Sequence, residues 1–221
     1  MRMRKKKHLD ERLAASSGVC LGWLPDGIHE GGTGMLDPAE VFGNDKPLRL
    51  EIGCGKGKFA NTIAARDTEA NFIAVEQSPN VAVMAMEQTV AAGLTNLRYL
   101  MGNAEYLLKV LPPRSVDRIY LNFSCPYPKS RYAKHRLTSP LFLGIYKELL
   151  TPGGVIIQKT DNEGFFDYSL EQYAENGCTV RFVTRDLHNS GITGNIITEY
   201  EQRFLDLGQP IFYAEAVLTK E

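Results

Sequence analysis

From Leu48 onward, short runs of β-branched and aromatic residues alternate with stretches of helical pattern, and few folds accept that alternation. The strand candidates are LRLEI (48–52), NFIAVE (71–76), NLRYLMG (96–102), VDRIYLNF (116–123), GVIIQKT (154–160), TVRFVTRD (179–186) and IFYAEAVL (211–218). Helical stretches lie between them at 57–66, 80–92, 105–110, 140–150, 163–176 and 199–207. The pattern predicts an α/β fold: a mostly parallel sheet with right-handed crossovers and helices on both faces. After Gly177 the last two strands, separated by a loop and a short helix, can pair antiparallel at one edge. Ligands of such sheets lie at the carboxyl ends of the strands, so the residues just after each strand carry the chemistry.

The 221 residues are 43% hydrophobic, enough for one sizeable core. We expect a single domain over 47–221, preceded by a basic arm and an irregular lead-in over 1–46, where residues 16–46 are rich in Gly, Pro, Asp and Ser. No apolar stretch approaches the roughly 20 residues that span a bilayer. The charged start, MRMRKKKHLDER, is followed by no apolar signal core. Four scattered cysteines (Cys20, Cys54, Cys125, Cys178), with no C-x-x-C pair, suggest reduced thiols in a cytoplasmic protein and no zinc site. The net charge of −1 hides two basic clusters. One is Arg2, Arg4, Lys5, Lys6 and Lys7; the other is Lys129, Arg131, Lys134, His135 and Arg136. They point to a polyanionic partner on one face.

After the first strand the chain reads RLEIGCGKGKF (49–59). A phosphate-binding P-loop fails here, because Phe59 stands where a magnesium-binding hydroxyl belongs. A nicotinamide turn, G-x-G-x-x-G, fails because its third glycine would fall on Lys58. What stands is E-x-G-x-G-x-G, from Glu51 through Gly53, Gly55 and Gly57. This resembles the first motif of class I S-adenosylmethionine methyltransferases. Glycines let the backbone turn tightly and approach a ligand, and an acid beside them attracts an ammonium or sulfonium but repels a pyrophosphate. Glu76, ending the next strand, stands where an acid meets ribose hydroxyls. Asn103, in Gly102-Asn103-Ala104-Glu105, suits either the adenine edge or a helix cap.

The fourth strand runs into NFSCPYPKSRYAKHR (122–136), where two prolines stiffen a turn and basic residues interleave with Tyr127 and Tyr132. Such a lip suits a nucleic-acid backbone and stacked bases. With VFGND (41–45), NFSCPYPK (122–129), HRLT (135–138), KTDN (159–162), DLHNSGITGNIITEYEQRF (186–204) and LGQPIFYAE (207–215), the chain resembles the bacterial tRNA (guanine-N7)-methyltransferase family over nearly its whole length. The resemblance implies a Rossmann-like class I sheet and S-adenosylmethionine as methyl donor. The implied substrate is tRNA, methylated at a guanine of the variable loop (position 46), with no metal or membrane partner. Monomer and homodimer both remain open.

By the same resemblance, Glu51, Gly53, Gly55, Glu76, Asn103, Ala104 and Cys125 fall at cofactor positions. Lys129, Asp161, Thr198, Glu199, Tyr200 and Glu201 fall at guanosine positions. Cys125 stands where the family usually has a catalytic aspartate, and Tyr127 where it has tryptophan. Guanine N7 offers a lone pair and carries no proton, so no general base is required. A carboxylate near the ring stabilises the charge it acquires, and Asp161 is the expected catalytic acid group. Cys125 reads as a neutral, inert side chain, His188 as loop-shaping, and the stripe Phe165, Phe166, Tyr168 and Leu170 as core. Two alternatives stand beside this reading. Ser124-Cys125-Pro126-Tyr127 loosely follows the [DNS]-P-P-[YFW] motif of amino-group methyltransferases acting on adenine N6 or guanine N2, without its first proline. The other is a homologue that grips tRNA but turns over weakly because Cys125 replaces the acid.

Overall fold

The computed structural model describes residues 6–25 and 32–218; Arg2, Arg4 and Lys5 of the first basic cluster lie outside them. The chain packs as two compact units, Met1–Pro112 and Pro113–Glu221.

In the first unit the elements run α1 (Leu9–Ala15), β1 (Cys20–Trp23), α2 (Pro38–Phe42), β2 (Leu48–Ile52), α3 (Lys58–Arg66), β3 (Asn71–Glu76), α4 (Pro79–Ala91) and β4 (Leu97–Met101), then a 3-10 turn at Ala104–Lys109. The strands lie in the order β1-β4-β3-β2 and pair in parallel. The central strand β3 is buried from Asn71 to Val75, as its unbroken apolar run requires. Leu50, Ile73, Met86, Leu97 and Leu100 fill the core. α4 opens with Pro79 at its first position, where a missing N–H costs nothing. The segment 16–46, expected as irregular, instead contains β1 and α2. β1 has only four residues and a register shift between Cys20 and Gly22, too little for a period-two pattern to show. α1 is tied to α4 by Arg12, whose Nε and Nη2 each donate to a Glu87 carboxylate oxygen at 2.6 Å.

The second unit runs β5 (Val116–Asn122), a 3-10 turn (Ser130–His135), α5 (Pro140–Leu149), β6 (Leu150–Thr160), α6 (Glu163–Glu175), β7 (Cys178–Thr184), α7 (Glu199–Asp206) and β8 (Phe212–Leu218). β5 pairs parallel with β6, and β8 lies antiparallel between β6 and β7. The antiparallel edge is thus present, with β8 inserted one place inward. β7 forms the edge, and only Cys178 of it is buried, with Phe182 and Val183 exposed. Phe165 and Phe166 are core, as the stripe predicts. Tyr168 and Leu170 are only half-buried, and the Tyr168 ring carries the Arg136 guanidinium 4.3 Å from its centroid.

Candidate functional site

In the first unit Gly53, Gly55 and Gly57 all have left-handed backbone, φ 81°, 56° and 81°, which glycine adopts without strain. Their duties differ. A Cβ on Gly53 or Gly55 would meet nothing within 4 Å, so these two face open space. A Cβ on Gly57 would stand 2.4 Å from the Ala85 Cβ, so the third glycine lets α3 pack against α4. The N–H groups of Gly53 and Cys54 both donate to the Val75 carbonyl, at 2.8 and 3.1 Å. Gly55 N–H donates to Glu76 Oε2 at 3.0 Å, and Ser78 N–H to Glu76 Oε1 at 2.9 Å. Glu76 therefore holds the turn.

Asn61, which sequence reasoning missed, braces the turn from behind. Its Nδ2 donates to the Gly57 carbonyl at 2.9 Å and to Tyr99 OH at 3.1 Å, while its Oδ1 accepts from Thr89. Glu51 is 5% exposed at the end of β2. Burial above all, then the fields of Glu51 and Glu76, holds the Cys54 thiol well above its usual range. Both carboxylates thus act on the glycine turn, and a cradle of open glycines flanked by two acids fits a cationic nucleoside such as S-adenosylmethionine. Asn103 Oδ1 accepts from Glu105 N–H at 3.1 Å, so it caps the 3-10 turn. Ala104 beside it is buried.

In the second unit the motif after β5 is bracketed by two non-glycine residues in left-handed conformation, Phe123 (φ 51°) and Tyr127 (φ 40°). Such backbone costs about 1–3 kcal/mol per residue and persists only where its surroundings enforce it. Arg136 does so here, donating from Nε to the Pro126 carbonyl at 2.9 Å and from Nη2 to the Tyr127 carbonyl at 3.0 Å. Arg136 therefore shapes the turn, a duty the basic cluster concealed. Lys129, Arg131, Lys134 and His135 are exposed, and the Arg131 guanidinium lies 4.8 Å from the Tyr132 ring centroid. Cys125 is exposed between the strained residues.

Asp161 follows β6 directly and is half-buried. Among the described residues no hydrogen bond or ion pair engages its carboxylate. Its neighbour Asn162 caps α6, accepting from Phe165 N–H at 2.8 Å. Thr198 and Glu201 form a reciprocal capping box at the start of α7. Glu199 and Tyr200 are exposed there, Tyr200 at 54%. Glu201, expected at the guanosine, is instead wholly enclosed. Its carboxylate pairs with Lys159 Nζ at 2.8 Å, the two side chains being 0% and 3% exposed. A charge within an apolar run, as Lys159 stands in GVIIQKT, is a signal that could have marked this pair. Removing one partner of such a pair costs about 3–5 kcal/mol, because the other is left charged and buried. Among the described residues, no group of three His, Cys, Asp or Glu is placed to hold a metal ion.

A family model described as "Putative methyltransferase" matches residues 45–214. The chain is 41% identical over 215 residues to the tRNA (guanine-N(7)-)-methyltransferase of Bacillus subtilis (strain 168), covering 97% of this chain and 98% of the relative. A protein of the same name from Listeria monocytogenes serotype 4b (strain F2365) is 45% identical over 177 residues, 80% of this chain and 83% of the relative. Two solved structures share the fold. The 16S rRNA methyltransferase KamB superposes with a TM-score of 0.61 at 15% identity, over 86% of this chain and 97% of that one. A SAM-dependent methyltransferase from Aquifex aeolicus gives a TM-score of 0.56 at 17% identity, over 84% and 91%. The likeness to these two is one of architecture: a mostly parallel α/β sheet with antiparallel edge strands, of the class I methyltransferase type.

Proposed function

The chain belongs to the tRNA (guanine-N7)-methyltransferase family, and on that premise we propose how its residues share the transfer of a methyl group to N7 of a guanine in the tRNA variable loop. S-adenosylmethionine, when bound, supplies a methyl group on a sulfonium centre. Gly53 and Gly55 leave room for it, Glu51 and Glu76 offset its positive charge, and Asn103 and Ala104 flank its base. Lys129, with Arg131 and Lys134, grips phosphate. Thr198, Glu199 and Tyr200 receive the guanosine.

N7 carries no proton, so these residues position the reactants and stabilise charge. The single observation carrying the acceptor half is the unengaged Asp161 carboxylate at the end of β6. There it stabilises the positive charge that the guanine imidazole ring gains on methylation. Exposed Cys125 offers no carboxylate, and Asp161 fills the acid's place. Four cysteines free of disulfides suit a cytoplasmic setting, and among the described residues no helix is long and apolar enough to cross a membrane.

Incubation with labelled S-adenosylmethionine and unmodified tRNA, followed by nucleoside mass spectrometry, tests the reading. N7-methylguanosine is the expected product. N6-methyladenosine or N2-methylguanosine would show an amino-group enzyme. Tight tRNA binding without methylation would show that Cys125 has cost the chain its activity.

A further inference from the structure

We infer that Lys159 is a positioning residue for guanosine recognition, acting with Glu201 to seat the 195–200 segment on the strand that carries Asp161. The inference rests on the acceptor role proposed above for residues 198–200. Residues 185–198, between β7 and α7, form neither helix nor strand. Leu187 N–H is tied to the Ile211 carbonyl at 2.8 Å, and Asn195 and Ile196 are held by the bonds of Lys159 and Glu201. Lys159 Nζ has three protons and three oxygens to receive them: Asn195 Oδ1 at 3.1 Å, the Ile196 carbonyl at 2.9 Å and Glu201 Oε2 at 2.8 Å. The other Glu201 oxygen accepts from Asn195 Nδ2 at 2.6 Å and faces His188 Nε2 at 3.3 Å. Thr198 completes the capping box on Glu201 N–H at 3.0 Å.

The same lysine governs the aromatic side of the site. Phe123 N–H donates to the Lys159 carbonyl at 2.8 Å, and Nζ lies 5.9 Å from the Phe123 ring centroid. That ring stacks on Phe204 at 6.5 Å and meets Tyr200 at 5.7 Å. Tyr200 is thus backed by two rings while remaining more than half exposed, a surface on which a base can stack. Lys159 lies two residues before Asp161 in the chain, so one buried ammonium relates a stacking ring to the catalytic carboxylate. Neither charge of the pair reaches a ligand. Both act through what they hold, and a buried ion pair suits that task because it accepts few alternative arrangements.

The test uses Lys159→Met with Glu201→Gln, which removes both charges at similar volume, alongside Tyr200→Ala and Asn195→Ala singly, the last removing one bond to each member of the pair and neither charge. S-adenosylhomocysteine calorimetry and thermal melting report folding; initial rates report kcat and KM for tRNA. A merely structural loss lowers the active fraction, hence kcat, and leaves KM for tRNA alone. A mis-seated segment raises KM for tRNA. We expect the double variant to melt cooperatively and bind S-adenosylhomocysteine with unchanged stoichiometry. Its kcat/KM for tRNA should fall about 100-fold, the scale for misplacement near 1 Å, and Asn195→Ala should lose less.

A wild-type kcat/KM in the double variant, or a fall in kcat alone, overturns the inference. If Tyr200→Ala loses activity while the double variant does not, only the Lys159 assignment fails. If Tyr200→Ala is itself silent, the acceptor reading fails and takes the inference with it. Should the double variant not fold, Asn195→Ala, which leaves the Lys159–Glu201 pair intact, decides on the same criterion: a raised KM supports the assignment, an unchanged one overturns it.

Discussion

The Glu76 carboxylate accepts the Gly55 N–H at 3.0 Å, so the acid that ends β3 holds the glycine turn that follows β2. Glu76→Ala removes that bond, the bond from Ser78 and a negative charge. A hydrogen bond to a charged group contributes about 1.5–3 kcal/mol, so S-adenosylhomocysteine affinity should fall about 10- to 100-fold. Glu76→Gln, keeping an acceptor, should fall less. Titration calorimetry decides, and an unchanged Kd in Glu76→Ala would remove this residue from the cofactor site.

Gly57 and Gly53 should fail differently when replaced by alanine. Both pay left-handed strain of about 1–2 kcal/mol. Gly57→Ala also drives a methyl into Ala85, adding about 1–3 kcal/mol of overpacking, so it should show mainly as a lowered denaturation midpoint. Its Cβ clash should be relieved in part by Ala85→Gly. Gly53→Ala meets open space and should cost more in cofactor affinity than in stability. Equal profiles for the two variants would contradict this division of labour.

Asp161→Ala should leave S-adenosylhomocysteine affinity near the wild-type value and reduce kcat by about 100- to 1000-fold, as loss of a preorganised electrostatic group does. Single-turnover methylation with saturating tRNA measures it. A variant that turns over normally would exclude Asp161 from the reaction.

Changing Lys129, Arg131 and Lys134 together to glutamine should flatten the salt dependence of tRNA binding. Each lost phosphate contact lowers the log–log slope by about 0.7–0.9. Arg136→Ala should leave that slope alone yet lower turnover, because its guanidinium binds the Pro126 and Tyr127 carbonyls. Filter binding across a salt series separates the two, and identical slopes for triple variant and wild type would turn this face away from RNA.

Burial raises the phenols of Tyr99, Tyr146 and Tyr173 above the ordinary tyrosine value. A group whose folded value is raised stabilises fully below its unfolded value, about 10 for tyrosine. That stability is lost as pH climbs from there toward the folded value. Melting temperatures should therefore drop above about pH 10, with the 295 nm tyrosinate signal appearing together with unfolding. Full tyrosine ionisation in a still-folded protein would refute it.

Elements with long, strongly patterned segments were legible from composition and period alone. LRLEI and NFIAVE match β2 and β3 residue for residue, because the first alternates apolar and charged residues and the second is a short apolar run bounded by turn signals. Short or bulged elements were not. β1, with four residues and a register shift between Cys20 and Gly22, becomes a strand only through its pairing with β4. The acid-led glycine turn was readable because glycine and charge impose local requirements that survive without knowledge of neighbours.

The amino-acid sequence by itself determined the βα alternation, the glycine turn and the residue types offered to cofactor and guanosine, since these follow from backbone freedom, periodicity and charge. Only the tertiary structure decided the fate of like residues. Arg136 bends inward to two carbonyls while Arg131 stays exposed, and Glu201 is buried on Lys159 while Asp161 remains unengaged. Which partner a charged side chain finds depends on residues that lie 42 positions apart in the case of Lys159 and Glu201, and folding alone brings them within reach.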